Sequence, residues 1–222
     1  MSRPPAAASP LAANGLYPIL DAELAEARGH DLVACARAFA RLGIPLQQLR
    51  AKTLPARDFL KLAQRLAEVV PTLIVNDRLD IARLAGAAGV HLGQDDLPLG
   101  AARPLLPPGF LVGLSTHTLD QARAALALAP NYFALGPVFP TTSKMKPDAV
   151  VGVQALGEIR WKCPGTLVAI GGITRENAPL VWRAGANAVA VISALWCTPD
   201  PVRAAEEFLL AFARVSCHSP GD

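Results

Sequence analysis

The sequence has little of several features that would place it in particular classes of protein. Aromatic residues make up 5% of the 222 residues, and the 21 Lys and Arg exceed the 18 Asp and Glu by only three. That net charge of +3 is too small to indicate nucleic-acid binding, although it suits anionic small molecules. No apolar run approaches the roughly 18 residues of a membrane span, so no membrane partner is expected. Small-molecule substrates remain the expected partners. The composition does not decide the oligomeric state, and a homo-oligomer is compatible with it.

Metal-binding and disulfide patterns are also missing. The four cysteines are scattered and form no C-x-x-C pair, and Cys/His zinc spacing is absent. Free thiols are typical of a reducing compartment, so a cytoplasmic location is expected. The first 14 residues lack the apolar segment of a secretory signal. We expect disordered tails at 1–14 and 216–222 around a single domain at 15–215.

What the sequence does contain is an alternation of short apolar runs and longer helical patterns. The runs are rich in Val, Ile and Leu, which is typical of strands buried on both faces. They lie at 16–21, 45–50, 72–77, 89–93, 111–115, 132–138, 166–172 and 188–193. Eight strand–helix units predict an α/β fold, a (β/α)₈ TIM barrel. An open doubly wound sheet is the alternative, but no G-x-G-x-x-G follows the first run.

The spacing of apolar residues predicts where several helices lie. Apolar residues three and four positions apart predict helices at 57–70 and 202–215. Thr118 and Thr174 each stand before a further helical segment, at 119–128 and 175–183 respectively. A hydroxyl at that position accepts a backbone N–H of the first turn, so both threonines are predicted N-caps.

Polar residues gather at the ends of the predicted strands, which form the active face of such a barrel. Gln48, Arg50 and Lys52 alternate, so an extended backbone places them on one face. An apolar interior would not bury two unpaired cations, which predicts an anion beside them. Asp77 and Asp96 follow neighbouring strands and would repel each other without a cation between them. Mg²⁺ commonly combines one or two carboxylates with substrate phosphates, so a magnesium site is predicted.

The last two strands predict a separate phosphate site. Gly171-Gly172 and Ile192-Ser193 follow strands seven and eight, where barrels often bind phosphate through backbone N–H groups. The segment 141–144 adds hydroxyls and an ammonium group for a second anion.

Two assignments at this rim stay open from the residues alone. Asp95 adjoins Asp96, and the spacing from the strand does not show which of the two carboxylates is the metal ligand. His91 alternates within a strand and is interpreted as a hydrogen-bonded core histidine. His117 lies on the rim, where it either begins a helix or takes part in the chemistry of the site.

Seven motifs carry a resemblance to a known family. They are Q-L-R-A-K at 48–52, V-N-D-R at 75–78, V-H-L-G-Q-D-D at 90–96, G-L-S-T-H at 113–117, G-P-V-F-P-T-T-S-K at 136–144, A-I-G-G-I at 169–173 and V-I-S at 191–193. Together and in this order, they resemble thiamine-phosphate synthase. The resemblance implies a transferase that joins 4-amino-2-methyl-5-hydroxymethylpyrimidine diphosphate to 4-methyl-5-(2-phosphoethyl)thiazole. Thiamine phosphate and pyrophosphate would leave.

The resemblance also implies a role for each matching residue. Residues expected to hold the pyrimidine diphosphate are Gln48, Arg50, Lys52, Asn76, Ser115 and Lys144. Of these, the expected catalytic groups are Arg50, Lys52, Ser115 and Lys144. The implied Mg²⁺ ligands are Asp77 and Asp96. Thiazole-phosphate contacts are expected from Thr141, Ser143, Gly172, Ile192 and Ser193.

Two other functions compete with the synthase. The related thiazole tautomerase would use a histidine at position 117 for proton transfer and needs no diphosphate site. A non-catalytic protein that binds thiamine precursors would tolerate loss of the metal and diphosphate groups. The complete set of Arg50, Lys52, Asp77, Asp96 and Lys144 favours the synthase over both.

Overall fold

Eight parallel strands close into a barrel in their order along the chain, which confirms the predicted (β/α)₈ fold. The computed structural model describes residues 14–141 and 149–217. Its strands are β1 Leu16–Asp21, β2 Leu46–Arg50, β3 Thr72–Asn76, β4 Gly89–Leu92, β5 Leu111–Thr116, β6 Tyr132–Leu135, β7 Leu167–Ile170 and β8 Ala188–Val191.

Helices follow the strands and cover the outside of the barrel. They are α1 Ala22–Ala27, α2 Leu32–Arg41, α3 Ala56–Ala67, α4 Leu79–Leu84, α5 Leu99–Ala102, α6 Leu119–Ala127, α7 Gly152–Lys162, α8 Ala178–Arg183, α9 Ser193–Trp196 and α10 Pro201–Ser216. Within the described part of the chain, no helix is long and apolar enough to cross a membrane.

The pairing of the first and last strands excludes the open doubly wound alternative. β1 lies parallel to β8, with Leu16 opposite Val189 and Pro18 opposite Val191. Because all neighbouring pairs are parallel, the carboxyl ends of all eight strands meet at one rim.

Most of the predicted tails lies outside the described residues, which begin at Asn14 and end at Cys217. Asn14 donates a side-chain hydrogen bond to the carbonyl of Gly43 at 2.5 Å. Ser216 is the last residue of α10.

One of the two predicted helix caps is correct. Thr118 precedes α6, and its hydroxyl accepts the backbone N–H of Gln121 at 3.2 Å. The prediction for Thr174 is wrong, because α8 begins four residues later, at Ala178. The side chain of Asn177 instead accepts the N–H of Thr174 at 2.8 Å, which stabilises a turn before the helix.

The apolar core has two parts, one on each side of the strands. The larger part lies between the strands and the surrounding helices, where Phe39, Trp196 and Phe208 are buried. The smaller part fills the barrel interior with nine buried residues. They are Tyr17, Ile19, Leu46, Ile74, Tyr132, Ala134, Val168, Ala188 and Ala190. The small alanines on β6 and β8 leave space toward the rim.

Gly89 at the start of β4 permits this interior packing. A Cβ at this position would lie 2.3 Å from the carbonyl oxygen of Leu111 and 2.8 Å from Cδ1 of Ile74. The first contact is with backbone of the neighbouring strand, which cannot move without breaking the barrel ladder.

Gly89→Ala is expected to lower the free energy of unfolding by about 1–3 kcal/mol, because the added methyl overpacks the interior. Gly100→Ala is the matched control, since a Cβ there meets nothing within 4 Å and the residue lies in α5. The control is expected to be neutral or to stabilise by up to about 1 kcal/mol. Urea denaturation of the three proteins measures both values. Equal stability of the two variants would contradict the packing argument.

Candidate active site

A cavity of about 610 Å³ opens at the carboxyl ends of the strands. It brings together every predicted site residue that the structure describes. These residues are Gln48, Arg50, Lys52, Asn76, Asp77, Asp96, Ser115, Thr141, Gly172, Ile192 and Ser193. Ser143 and Lys144 lie outside the described residues, so their roles stay predictions.

Two cations at the end of β2 form one side of the cavity, and each is paired with a carboxylate. Nη1 of Arg50 donates to Oδ2 of Asp21 at 2.5 Å, and the ammonium of Lys52 contacts Oδ2 of Asp77. Asp21 is 5% exposed, whereas half of the Lys52 side chain is accessible. Arg50 is therefore fixed by a nearly buried partner, while Lys52 is held at the cavity mouth.

Asp21 contacts the candidate site through Arg50, and the sequence reasoning did not single it out. It ends β1 opposite Arg50 of β2, and its Oδ1 accepts the N–H of Leu24 at 3.0 Å as the N-cap of α1. One carboxylate thus starts a helix and orients a guanidinium. The available signal was its place at the end of the first strand.

Asp77 and Asp96 lie together, as their positions after neighbouring strands predict. Asp77 adopts a left-handed backbone conformation, with φ of 63°, and its N–H donates to the carbonyl of His91 at 2.8 Å. Such a conformation is uncommon for a residue other than glycine and is often found at functional sites. Asp96 accepts the N–H of Gly93 at 2.6 Å. Burial and the negative charge of Asp77 raise the pKa of Asp96.

This carboxylate pair fits a hard cation. The negative charge of Asp77 disfavours ionisation of Asp96, and Lys52 offsets this effect only in part. Asp95 is exposed, whereas Asp96 is half-buried and fixed by its hydrogen bond to Gly93, which favours Asp96 as the ligand. Within residues 14–141 and 149–217, no group of three or more His, Cys, Asp or Glu side chains could hold a metal. A metal here needs further oxygen ligands, as Mg²⁺ obtains from phosphates.

A chain of polar side chains crosses the barrel interior beneath the cavity. Nε2 of Gln48 donates to Oη of Tyr17 at 3.0 Å, and the hydroxyls of Tyr17 and Tyr132 are 2.9 Å apart. His91 continues the chain, with Nδ1 3.0 Å from Oη of Tyr132 and Nε2 2.8 Å from Oγ of Ser115. Sequence reasoning missed both tyrosines, which resemble ordinary core residues.

The interpretation of His91 as a hydrogen-bonded core residue is confirmed, and its ring also lines the cavity. The ring stacks on Tyr132 with centroids 5.5 Å apart. Burial lowers the pKa of His91 to about 4, so the imidazole is neutral at pH 7. Burial also raises the pKa of the Tyr17 hydroxyl, which therefore remains protonated.

Glycines shape the opposite side of the cavity, after β7. Gly172 has φ of +62°, and a Cβ there would lie 2.4 Å from the carbonyl oxygen of Pro140. The segment after β6 runs along this turn, with the N–H of Phe139 bonded to the carbonyl of Gly171 at 3.0 Å. Ser193, the first residue of α9, faces the same part of the cavity. Gly172 and Ser193 thus line this side of the cavity together.

His117 lies on the rim, and a hydrogen bond of its ring determines which ring nitrogen carries the hydrogen. Nδ1 is 2.6 Å from the carbonyl oxygen of Gly136, so Nδ1 carries the hydrogen. The backbone N–H of His117 donates to the side chain of Gln121 at 2.7 Å, which fixes the start of α6.

Asp21→Asn is expected to lower the free energy of unfolding by about 2–3 kcal/mol, because it leaves the charge of Arg50 without a partner in a mostly buried setting. Asparagine still caps α1, so the loss isolates the ion pair. Asp80→Asn is the control, since Arg78 and Asp80 are also 2.5 Å apart but are 39% and 56% exposed. That change is expected to cost less than about 1 kcal/mol. Equal losses in urea denaturation would contradict a special role for Asp21.

Comparison with known proteins identifies the family. Residues 16–195 match the family model described as thiamine monophosphate synthase. The thiamine-phosphate synthase of Anaeromyxobacter dehalogenans (strain 2CP-C) is 43% identical over 201 residues, covering 89% of this chain and 87% of that protein. That of Methanoculleus marisnigri is 46% identical over 194 residues, covering 86% and 91%. The solved thiamine phosphate pyrophosphorylase from Pyrococcus furiosus superposes with a TM-score of 0.81 at 30% identity, covering 92% of this chain and 98% of that one. The chain therefore belongs to the thiamine monophosphate synthase family and is a transferase.

Proposed function

We propose that this transferase moves the pyrimidinylmethyl group of 4-amino-2-methyl-5-hydroxymethylpyrimidine diphosphate to the ring nitrogen of 4-methyl-5-(2-phosphoethyl)thiazole. The products are thiamine phosphate and pyrophosphate. One observation carries the proposal, namely that a single cavity has a cationic and carboxylate side after β2 to β4 and a glycine and serine side after β7 and β8. One substrate bears a diphosphate and the other a monophosphate, so two anion subsites in one cavity match the pair.

The diphosphate binds at the end of β2. Asp21 holds one side of the Arg50 guanidinium, and the remaining N–H donors are available to phosphate oxygens. Lys52 is held by Asp77 at the exposed mouth, so an arriving diphosphate competes with Asp77 for the ammonium. Asn76, at the end of β3, adds an amide that can bind the same substrate.

Asp77 and Asp96 would hold Mg²⁺, and the diphosphate would complete its oxygen ligands. When bound there, Mg²⁺ supplies positive charge that neutralises the departing diphosphate. Transfer of Lys52 from Asp77 to the diphosphate would free the Asp77 carboxylate for this role.

The reaction needs positioning and charge stabilisation more than a protein nucleophile. The bond between the methylene carbon and the diphosphate oxygen breaks, and its electron pair leaves with the diphosphate. The electron-rich aminopyrimidine stabilises the methylene cation, which the thiazole nitrogen then attacks with its lone pair. Arg50 and Lys52 stabilise the leaving diphosphate most where its charge is greatest, which lowers the barrier for this dissociative path.

The thiazole phosphate binds on the other side of the cavity. Gly172 and Ser193 supply backbone N–H groups and a hydroxyl, and Ile192 precedes Ser193 along the same wall. Thr141 lines the same cavity and adds a second hydroxyl to the site. This separation holds the thiazole ring over the pyrimidine with the two anions apart, which limits their repulsion.

Ser143 and Lys144 complete the site in this proposal. They follow Thr141 in the segment between β6 and α7, so Ser143 is expected to contact the thiazole phosphate. The ammonium of Lys144 is expected to contact the departing diphosphate. It would act mainly on the rate of bond cleavage.

The two competing functions explain fewer of these residues. A thiazole tautomerase needs His117 but has no use for Arg50, Lys52 and the carboxylate pair. A non-catalytic binder of thiamine precursors needs neither the metal ligands nor the cations in their complete form. The synthase accounts for all of them and agrees with the names of the relatives.

A reducing cytoplasm is the compartment we propose for this reaction. All four cysteines are free thiols, and Cys197 and Cys217 are exposed. Exposed thiols persist where the surroundings are reducing.

Purified protein incubated with both precursors and Mg²⁺ is expected to form thiamine phosphate and pyrophosphate in equal amounts. Excess chelator is expected to stop the reaction, and added Mg²⁺ to restore it, because the carboxylate pair cannot assist a diphosphate without a cation. Chromatography of the products measures both outcomes. No product under any metal condition would overturn the function, and full activity in chelator would overturn the metal's role.

Asp96→Ala and Asp95→Ala provide the matched comparison for the same assay. The first is expected to reduce kcat/KM by about 10²-fold or more, and the second by less than about 3-fold. Equal reductions would contradict the assignment of Asp96 as the ligand.

Lys144→Ala is expected to reduce the single-turnover rate by about 10²-fold, which corresponds to ~3 kcal/mol of transition-state stabilisation. The dissociation constant of the pyrimidine diphosphate is expected to change by less than about 5-fold, because the contact strengthens as charge develops. Rapid quench and equilibrium titration separate the two effects. Lys162→Ala, an exposed lysine at the end of α7, is the control and is expected to leave both unchanged. An unchanged rate with lost affinity would make Lys144 a binding residue only.

A further inference from the structure

The hydrogen-bond chain across the barrel joins two residues that face the cavity from different strands. Gln48 stands on β2 and Ser115 on β5, and Tyr17, Tyr132 and His91 connect them. The three connecting residues are at most 7% exposed, so water is a poor substitute for any of their partners. The chain is therefore satisfied only by its own members and by whatever binds in the cavity.

With the Gln48 amide nitrogen as the donor to Tyr17, counting hydrogens gives a direction for every bond in this hydrogen-bond chain. Each hydroxyl carries one hydrogen, and a neutral imidazole carries one N–H. With Gln48 donating to Tyr17, every hydrogen finds an acceptor when Tyr17 donates to Tyr132 and Tyr132 donates to Nδ1 of His91. His91 then carries its hydrogen on Nε2 and donates to Oγ of Ser115.

The two ends consequently offer opposite groups to the cavity. With its amide nitrogen turned inward, Gln48 has its carbonyl oxygen left as an acceptor. Ser115 accepts from His91, so its own hydrogen is left as a donor. If the Gln48 amide were reversed, all four bonds would reverse as well. Ser115 would then donate its hydrogen to Nε2 of His91 and would have no donor left for the cavity. The two ends are therefore coupled across the barrel.

We propose that Tyr17, Tyr132 and His91 are positioning residues that make the cavity present an acceptor at Gln48 together with a donor at Ser115, and so select an aminopyrimidine ring. This inference rests on the proposed function. An aminopyrimidine has an amino donor and ring-nitrogen acceptors, which complement the two ends. The 4-oxo analogue has a carbonyl acceptor and a ring N–H donor instead. Its binding requires reversal of the whole chain or leaves polar groups unpaired, and sites of this kind discriminate strongly.

The coupling has a spectroscopic test that does not depend on activity. Nitrogen-15 NMR distinguishes the two neutral imidazole tautomers, and His91→Gln identifies the signals of His91. The wild type is expected to show the Nε2–H tautomer at pH 7. Gln48→Glu places a carboxylate, which only accepts, at the far end, so the chain should reverse and His91 should show the Nδ1–H tautomer.

Two controls separate transmission along the chain from a general effect of charge. Gln121→Glu puts the same charge on the cavity rim, at a residue that does not belong to the hydrogen-bond chain. It is expected to leave His91 in the Nε2–H tautomer. Combining Gln48→Glu with Tyr132→Phe removes one hydroxyl from the middle and is expected to abolish the switch. A wild-type Nδ1–H tautomer, or no change in Gln48→Glu, would overturn the coupling.

Selectivity is measured by the dissociation constants of the 4-amino and 4-oxo pyrimidine diphosphates, with Mg²⁺ and without thiazole phosphate. The wild type is expected to prefer the amino ring by at least about 30-fold. Tyr132→Phe and Tyr17→Phe are expected to reduce this preference to less than about 5-fold, because each end can then reorient alone. Thr116→Val is the control. It removes a buried hydroxyl of β5 that donates to the carbonyl of Ala134 and does not belong to the hydrogen-bond chain. It is expected to keep the preference.

The outcomes distinguish this inference from the proposed function. Equal affinity of the wild type for the two rings, or an unchanged preference in both tyrosine variants, would overturn the selection by the chain. Failure of the wild type to bind either ring would overturn the proposed function itself.

Discussion

Closure of the parallel barrel is the constraint on which the active site depends. If the strands formed an open sheet in this same order, the ends of β1 and β8 would lie at opposite edges. The pairing of β1 with β8 makes them neighbours. Arg50, which Asp21 holds from the end of β1, and Ser193 after β8 therefore line one cavity. The strand ladder thereby holds the proposed diphosphate and monophosphate sides at a fixed separation. Gly89 at the start of β4 lets the interior pack closely, and the small Ala190 of β8 leaves space toward the rim.

The barrel and the residues of its rim could be predicted because they follow from local pattern. Continuous apolar runs mark buried parallel strands, and polar residues just after such runs must lie at the carboxyl rim. That reasoning located Arg50, Lys52 and Asp77, which line the cavity. The ends of some strands were set too late, since β6 stops at Leu135 and Ser193 begins a helix. Hydrophobic pattern alone does not show where an apolar segment leaves the ladder.

The remaining features depend on which distant residues the sheet register brings together. Asp21 resembles a simple helix cap until the pairing of β1 with β2 puts it beside Arg50. Tyr17 and Tyr132 are 115 positions apart in the sequence and meet only inside the closed barrel. Their hydroxyls cost desolvation in the interior, and that cost is offset because each has partners in the chain from Gln48 to Ser115. The hydrogen-bonded side chains inside the barrel thus hold Gln48 and Ser115 in place, whereas the apolar core stabilises the fold.

The central claim is that one cavity holds two anions on separate sides, with the pyrimidine and thiazole rings between them. A crystal structure of the protein with thiamine phosphate, pyrophosphate and Mg²⁺ tests it most directly. The account predicts pyrophosphate against Arg50 and Lys52, with the metal between Asp77 and Asp96. It predicts the monophosphate of thiamine phosphate against the opposite wall of the cavity, beside the turn after β7. Exchange of the two anions between these sides, or both anions on one side, would contradict it.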